Sequence, residues 1–231
     1  IYFSNKVKEQ CMEMFDHLDR AGIRSSMITG DNVYTAVAIA SECGLLAPPE
    51  RRKLYIIDEG ADAQPIIVNA EDDDGTPCDL TFDDLFHQLT FAVQDELNRN
   101  SSVDNPLNAS IVDSTARPSR STAVSRVPEG THAPINITSF VGQDGGAGVK
   151  VTQVAVTGKG LNALRQKNPR YVEQLLSFCR VYARMKPDDK KSIVVAIQGL
   201  EDELGRTVKV IYCGDGANDM AQCSHCGSIT V

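Results

Sequence analysis

Residues 23–44 read IRSSMITGDNVYTAVAIASECG, and this stretch decides the fold. Its first part, 23–29, reads as a buried strand, and the GDN triplet at 30–32 then breaks the pattern. Helical periodicity resumes over 33–43 and stops at a glycine. The stretch therefore predicts a strand, a tight turn and a helix in series.

The flanking sequence extends this pattern into an α/β fold. Residues 5–20 have the apolar spacing of an amphipathic helix, with Ser4 or Asn5 able to cap its start and Gly22 able to end it. Alternating strands and helices predict a Rossmann-like, mainly parallel sheet with helices on both faces, whose functional residues follow the carboxyl ends of the strands. The downstream elements predicted from periodicity are strands over 151–157, 180–184 and 208–213 and helices over 171–178 and 188–200.

A long insertion separates the two halves of this pattern. After Pro48 the periodicity weakens, an acidic run occupies 71–74, and only a short helix over 83–98 is predicted. Residues 100–150 are rich in Ser, Pro, Asn, Gly and Thr, so they cannot bury enough apolar surface to offset the entropy of ordering, and we expect a flexible segment. The chain therefore divides into one domain in two parts, residues 1–48 and 151–231, and an insertion between them at 49–150.

Composition narrows the class of protein. The formal net charge of −8 argues against nucleic acid as the main partner, because phosphate binding needs clustered Lys and Arg. No window approaches the roughly 18 consecutive apolar residues that span a bilayer, so a cytosolic segment is expected. Seven cysteines, an odd number, favour free thiols in a reducing compartment. The start at Ile1, without a targeting sequence, predicts a chain that begins in the middle of a longer protein.

Two segments at predicted element ends carry groups suited to phosphate. In the first, Gly30 would let the backbone approach an anion, and the Thr29 hydroxyl could donate to phosphoryl oxygens near a helix N-terminus. In the second, RMKPDDK at 184–190, a helix starts at Pro187 and Lys190 falls in its first turn, where the helix dipole disfavours a cation unless an anion lies nearby. A capped turn and an exposed lysine are the simpler alternatives.

The third segment is VKVIYCGDGAND at 208–219, an apolar strand that runs into a glycine-rich acidic turn. Asp215 presents a carboxylate at the carboxyl end of the strand, and Asn218 and Asp219 follow within the same turn. Mg²⁺ prefers such oxygen ligands, with substrate phosphate and water completing its coordination. The segment therefore predicts a magnesium and phosphate site, with an ordinary turn as the alternative.

The order of the three segments resembles that of the haloacid dehalogenase superfamily, and their wording resembles the phosphorylation domain of P-type ATPases. The likeness covers about residues 1–46 and 151–219, and it is carried by MITGDN followed by TAVAIASECGLL, by VYARMKPDDK in place of the usual FARxxPxQK, and by CGDGAND. The NKVK, AGIRSSMITGDN and VTGK segments, and the Cys before GDGAND, are most similar to type V pumps, particularly the polyamine-transporting branch.

The resemblance implies a translocase that hydrolyses ATP with Mg²⁺ and moves a cation or polyamine across a membrane. The full-length pump would be a multi-pass endomembrane protein with transmembrane, actuator and nucleotide-binding regions, and this chain would be a cytosolic piece of its phosphorylation domain. Residue by residue, the resemblance implies that Thr29 contacts the phosphoryl group, that Lys190 neutralises its charge, and that Asn218 and Asp219 support that site. It also implies that Asp215 and Asp219 ligate Mg²⁺. The residues implied to approach the nucleotide are Gly30, Asp31 and Arg184. Such positioning and fixed charge are what phosphoryl transfer requires.

Departures from the family pattern restrict what the chain could do. The family's nucleophile is the Asp of DKTGT, upstream of TGDN, and no such segment occurs here; Asp58 and Asp113 follow TGDN and lack the Lys-Thr-Gly context. Without that Asp no aspartyl phosphate forms in cis, so the isolated chain is expected to be inactive. Two other classes stay open: a soluble haloacid dehalogenase-type phosphatase, which would turn over an aryl phosphate, and a non-catalytic interaction module.

Overall fold

A computed structural model describes residues 7–70, 77–90, 150–200 and 208–214. In chain order its elements are α1 (Cys11–Arg20), β1 (Met27–Ile28), α2 (Val33–Glu42), a 3₁₀ turn (Pro49–Arg51), β2 (Arg52–Glu59), β3 (Pro65–Asn69), α3 (helical over 82–90), β4 (Val151–Thr157), α4 (Gly158–Lys167), α5 (Pro169–Phe178), β5 (Val181–Ala183) and α6 (Pro187–Gln198). No helix in these ranges is long and apolar enough to cross a membrane.

The strands form one five-stranded sheet in the order β1-β5-β4-β2-β3. The strands β1, β5, β4 and β2 pair in parallel, and β3 adds an antiparallel edge beside β2. All of β4 except its first residue is buried, as expected for a central strand covered on both faces. The α/β class is therefore confirmed, in the form of a mixed sheet with helices.

Two apolar clusters lie on opposite faces of the sheet. Side chains alternate across a strand, so Val154 and Val156 face one cluster while Ala155, between them, faces the other. The first cluster takes in residues of α3, α4, α5 and α6, and the second takes in residues of α2. Helices thus cover both faces and fix the loops at the strand ends.

Most predicted elements are confirmed with small shifts at their ends. The strand over 151–157 has the predicted bounds, and the helix over 33–43 is present as α2, capped by Asn32. Three further predictions are confirmed with shifted ends: 171–178 as α5, 180–184 as β5 and 188–200 as α6. The helix over 83–98 is present as α3 in its described part.

Two predictions near the start are wrong in extent. The first helix begins at Cys11 with Gln10 as its N-cap, while Ser4 and Asn5 lie outside the described residues. The strand over 23–29 shrinks to the two residues of β1, because its only neighbour in the described sheet, β5, has three. The sequence pattern did not reveal β2, β3 or α4.

The predicted strand over 208–213 is also wrong. Residues 208–214 have no regular secondary structure, and the amide of Val208 donates to the carbonyl of Leu200 at 3.0 Å instead of to a ladder. Ile211 is 64% exposed. An apolar run becomes a strand only where a neighbour pairs with it, and within the described sheet β1 has β5 as its one neighbour. The predicted flexible stretch over 100–150 lies, apart from Lys150, outside the described residues.

Candidate functional site

The candidate site is built from the loops that follow β1 and β5. Because these neighbouring strands are parallel, their carboxyl ends meet at one edge of the sheet. Two backbone hydrogen bonds join the loops: the amide of Arg184 donates to the carbonyl of Asp31 at 2.9 Å, and the amide of Met185 donates to the carbonyl of Thr29 at 3.0 Å. The TGDN turn and the RMKPDDK segment therefore lie side by side.

The Thr29 hydroxyl is engaged within its own turn. It donates to Oδ2 of Asp31 at 2.9 Å and accepts from the Asp31 amide at 3.1 Å. The next residue, Asn32, caps α2 by accepting from the amide of Tyr34 at 2.9 Å. A hydroxyl has one proton, so Thr29 must release the Asp31 carboxylate before it can donate to an anion.

Gly30 has neither a conformational nor a packing reason to be glycine. Its φ lies outside the left-handed region, and a Cβ placed on it would meet only the carbonyl oxygen of Met185, at an ordinary 3.7 Å. Gly158 differs, since its Cβ would lie 2.7 Å from the carbonyl oxygen of Arg184. The space beside Gly30, an exposed residue, is therefore open to a ligand.

Arg184 is held in a strained backbone conformation at this edge. Its φ of 51° is in the left-handed region, which costs a residue with a Cβ roughly 1–2 kcal/mol. The hydrogen bond from its amide to the Asp31 carbonyl holds the residue there, and its side chain is exposed. Strain of this kind concentrates at functional sites.

Replacing Arg184 with asparagine should raise the free energy of unfolding by about 0.5–1 kcal/mol, because asparagine tolerates the left-handed region better. The control is Arg165→Asn, an exposed position inside α4 with helical geometry, which should lose a few tenths of a kcal/mol. Urea unfolding of both variants measures the difference. Equal losses in the two variants would show that the Arg184 backbone stores no strain.

Lys190 follows the second loop by one turn of α6. Its amide donates to the carbonyl of Lys186 at 3.1 Å, and its side chain is half-buried. Asp189 fixes the helix start by accepting from the Lys186 amide at 3.1 Å. The carboxylates of Asp188 and Asp189 in the first turn interact favourably with the positive end of the helix dipole, so the helix start is stable even with a lysine in it.

The structure thus brings together only some of the predicted residues. Thr29, Gly30, Asp31 and the backbone of Arg184 meet at one edge, with Lys190 on the adjoining helix. The predicted residues outside the described ranges are Asp215, Asn218 and Asp219. Within those ranges no group of three His, Cys, Asp or Glu side chains is arranged to hold a metal ion.

Sequence reasoning missed a second polar cluster farther along the same edge. Thr157, at the end of β4, donates to Oδ1 of Asp58 at 2.5 Å and accepts from the amide of Gly160 at 3.0 Å. Lys159 beside it lies 3.7 Å from Glu59. The TGKG sequence after an apolar strand is the signal that could have located this cluster.

Asp58 belongs to this second cluster and not to the Thr29 turn. The strand that carries it, β2, is three positions from β1 in the sheet, a separation of about 14 Å at the usual strand spacing. Asp58 is therefore too far away to share a phosphoryl group with Thr29.

Comparisons with known proteins test the family resemblance that the sequence motifs indicate. No family model matches the chain. The chain is 28% identical over 236 residues to the "Probable cation-transporting ATPase catp-6" of Caenorhabditis elegans, covering 98% of this chain and 16% of that protein. It is 26% identical to the mouse "Polyamine-transporting ATPase 13A3", covering 95% of this chain and 14% of that protein.

A fungal protein gives the same result. The chain is 26% identical to the "Vacuolar cation-transporting ATPase YPK9" of Saccharomyces cerevisiae, covering 95% of this chain and 11% of that protein. The chain thus spans only a small part of the length of each relative, whereas the similarity spans nearly all of the chain. This similarity confirms the recognition made from the motifs: the chain is related to the P-type cation- and polyamine-transporting ATPases.

Proposed function

We propose that this chain is part of the phosphorylation domain of an ATP-driven type V transporter that moves a cation or polyamine across a membrane. The domain would be haloacid dehalogenase-like, with parts at 1–48 and 151–231 and an insertion at 49–150, of which β2, β3 and α3 are built into the same sheet and core. The relatives named as cation- and polyamine-transporting ATPases support this proposal. The observation that carries it is the pair of backbone hydrogen bonds that joins the Thr29 turn to the Arg184 loop, since it holds side by side two segments that the proposal assigns to a phosphoryl site.

Within the proposed site, the protein's own groups would act by position and charge. An arriving phosphoryl group would occupy the open space beside Gly30 and draw the Thr29 hydroxyl away from Asp31. Lys190 would then offset the negative charge that develops on the phosphoryl oxygens. Mg²⁺ held by Asp215 and Asp219 would add positive charge beside those oxygens. Asn218 would support the same oxygens, and Arg184 would approach the nucleotide.

The rest of the pump would supply what this chain lacks. Its transmembrane, actuator and nucleotide-binding regions would select the cargo, drive the cycle and deliver ATP. The DKTGT aspartate is absent from this sequence, so the isolated chain should not hydrolyse ATP. Turnover of ATP that disappears in an Asp215→Asn variant would contradict this expectation, and turnover of an aryl phosphate would favour a soluble phosphatase instead.

The magnesium part of the proposal is tested by an NMR titration. Mg²⁺ should shift the amide signals of Thr29, Gly214 and Asp219 in the parent chain, with weak affinity because two carboxylates are few for a tight site. The shifts should vanish in Asp215→Asn. They should persist in Asp58→Asn, which also removes one carboxylate charge but leaves an oxygen to accept from Thr157. Equal shifts in the parent and in Asp215→Asn would remove Asp215 from the site.

A further inference from the structure

Two thiols meet where the start of α1 packs against the end of α2. Cys11 is the first residue of α1 and half-buried, and Cys43 is the buried C-cap of α2; neither is in a disulfide. A Cβ built on Gly44 would lie 3.6 Å from the Cα of Met12. The backbones beside the two cysteines are therefore in contact, and a disulfide needs such an approach because it holds its two Cα atoms roughly 4.4–6.8 Å apart.

The electrostatic surroundings of Cys43 agree with this contact. Three effects raise the pKa of Cys43. The largest is burial, the second is the adjacent Cys11 thiol, which shares a side-chain hydrogen bond with Cys43, and the third is the charge of Glu42. The neighbouring thiol is thus close enough to act on Cys43 directly. Two other cysteines are engaged elsewhere: the thiol of Cys78 donates to the Ile67 carbonyl at 3.3 Å and that of Cys179 to the Val181 carbonyl at 3.2 Å.

We propose that Cys11 and Cys43 form a reversible disulfide that ties α1 to α2 when the chain meets a low-molecular-weight disulfide such as oxidised glutathione. The more exposed Cys11 attacks one sulfur of the oxidant, giving a mixed disulfide and releasing one glutathione thiol. Cys43 then attacks the Cys11 sulfur, which forms the protein disulfide and releases the second thiol. The two protons lost by the cysteines end on the released thiols, and excess reduced glutathione reverses both steps.

The crosslink would act on the helix that begins at the TGDN turn. Asn32 caps α2, and Cys43 lies at its other end, so a bond to Cys11 anchors this helix to α1. In the unfolded chain the bond closes a loop over residues 11–43, which limits the conformations available there. Oxidation should therefore raise the melting temperature by about 10 °C.

The test exposes the full 231-residue chain to glutathione buffers of rising oxidised fraction at neutral pH. After acid quenching, remaining thiols are alkylated and the peptides mapped by mass spectrometry. We expect a peptide pair linked through Cys11 and Cys43 as the main disulfide, lost on reduction, with the melting temperature rising in step.

Three variants separate this bond from general oxidation. Cys43→Ser should trap the intermediate, so that Cys11 accumulates as a glutathione adduct and the melting temperature does not rise. Cys11→Ser should yield neither the adduct at that position nor the linked peptide. Cys78→Ser, a half-buried thiol on another part of the fold, should leave the Cys11 to Cys43 link intact. The proposal is overturned if the parent chain stops at the Cys11 adduct, or if Cys11 links to a second chain.

Discussion

Replacing Asp19 with alanine should lower the free energy of unfolding by about 3–5 kcal/mol, because it breaks a buried ion pair from one side only. Asp19 is 6% exposed and Arg180 is 3% exposed, and Nη1 of Arg180 donates to Oδ1 of Asp19 at 3.2 Å. The same nitrogen lies 3.4 Å from the carbonyl of Ser25. Arginine stays protonated in proteins, so the variant keeps a buried guanidinium without this countercharge.

The control lies on the same helix. Asp16 pairs with Arg20 at 2.6 Å, but Arg20 is 59% exposed, so Asp16→Ala should cost about 0.5 kcal/mol or less. Urea unfolding followed by circular dichroism compares the two. Equal losses would mean that burial adds nothing to the Asp19 pair. A double variant, Asp19→Leu with Arg180→Met, should recover most of the loss, because it leaves no buried charge.

Asp19 also shows why the spacing of apolar residues in α1 could not predict which of its residues are buried. The spacing places Met14 on the inner face, yet Met14 is 49% exposed and Asp19 is the buried residue of the helix. A carboxylate is normally a mark of the solvent side. Here its countercharge comes from Arg180 at the start of β5, 161 residues away, and no local pattern contains that information.

Elements with local signals were predictable. The α2 helix has Asn32 as its cap and a glycine after its last turn, and β4 contains the apolar run VAV at 154–156 and is buried on both faces. The β2 strand was missed because its apolar run is only four residues long, LYII at 54–57, with two charged residues on each side, and its place is fixed by pairing with β4, which lies about 100 residues later in the chain. The strand predicted over 208–213 is the opposite case, because its sequence is an apolar run but it has no pairing partner in the described sheet.

The candidate site divides in the same way. Thr29, Gly30 and Arg184 could be chosen from short motifs, because each motif consists of neighbouring residues in a single turn. The structure joins the two loops that carry them by backbone hydrogen bonds. The bond from Thr157 to Asp58 spans 99 residues and depends on the order of strands in the sheet. Periodicity predicts that strands exist, but it does not give their order.

Replacing Gly160 with alanine should lower the free energy of unfolding by about 3 kcal/mol, because the new methyl group has no room. A Cβ at Gly160 would lie 2.7 Å from the Cα of Asp58 and 2.8 Å from the carbonyl carbon of Ile57. Both are backbone atoms of β2, so no side chain can rotate aside. The α4 helix would have to move off the sheet and loosen the packing of Leu161 and Leu164 in the core.

The matched control is Gly30→Ala, which adds the same methyl group to an exposed glycine in the TGDN turn. Its nearest neighbour would be 3.7 Å away, so stability should stay unchanged or rise by about 0.5 kcal/mol, since alanine has less freedom to lose on folding. Under the proposed function, phosphate binding measured by the NMR shift of Thr29 should weaken in Gly30→Ala, because the methyl group fills the space beside the turn. Urea unfolding of both variants decides the structural part. If Gly30→Ala is the more destabilised of the two, the open space beside Gly30 and the close contact of α4 with β2 have been assigned to the wrong glycines.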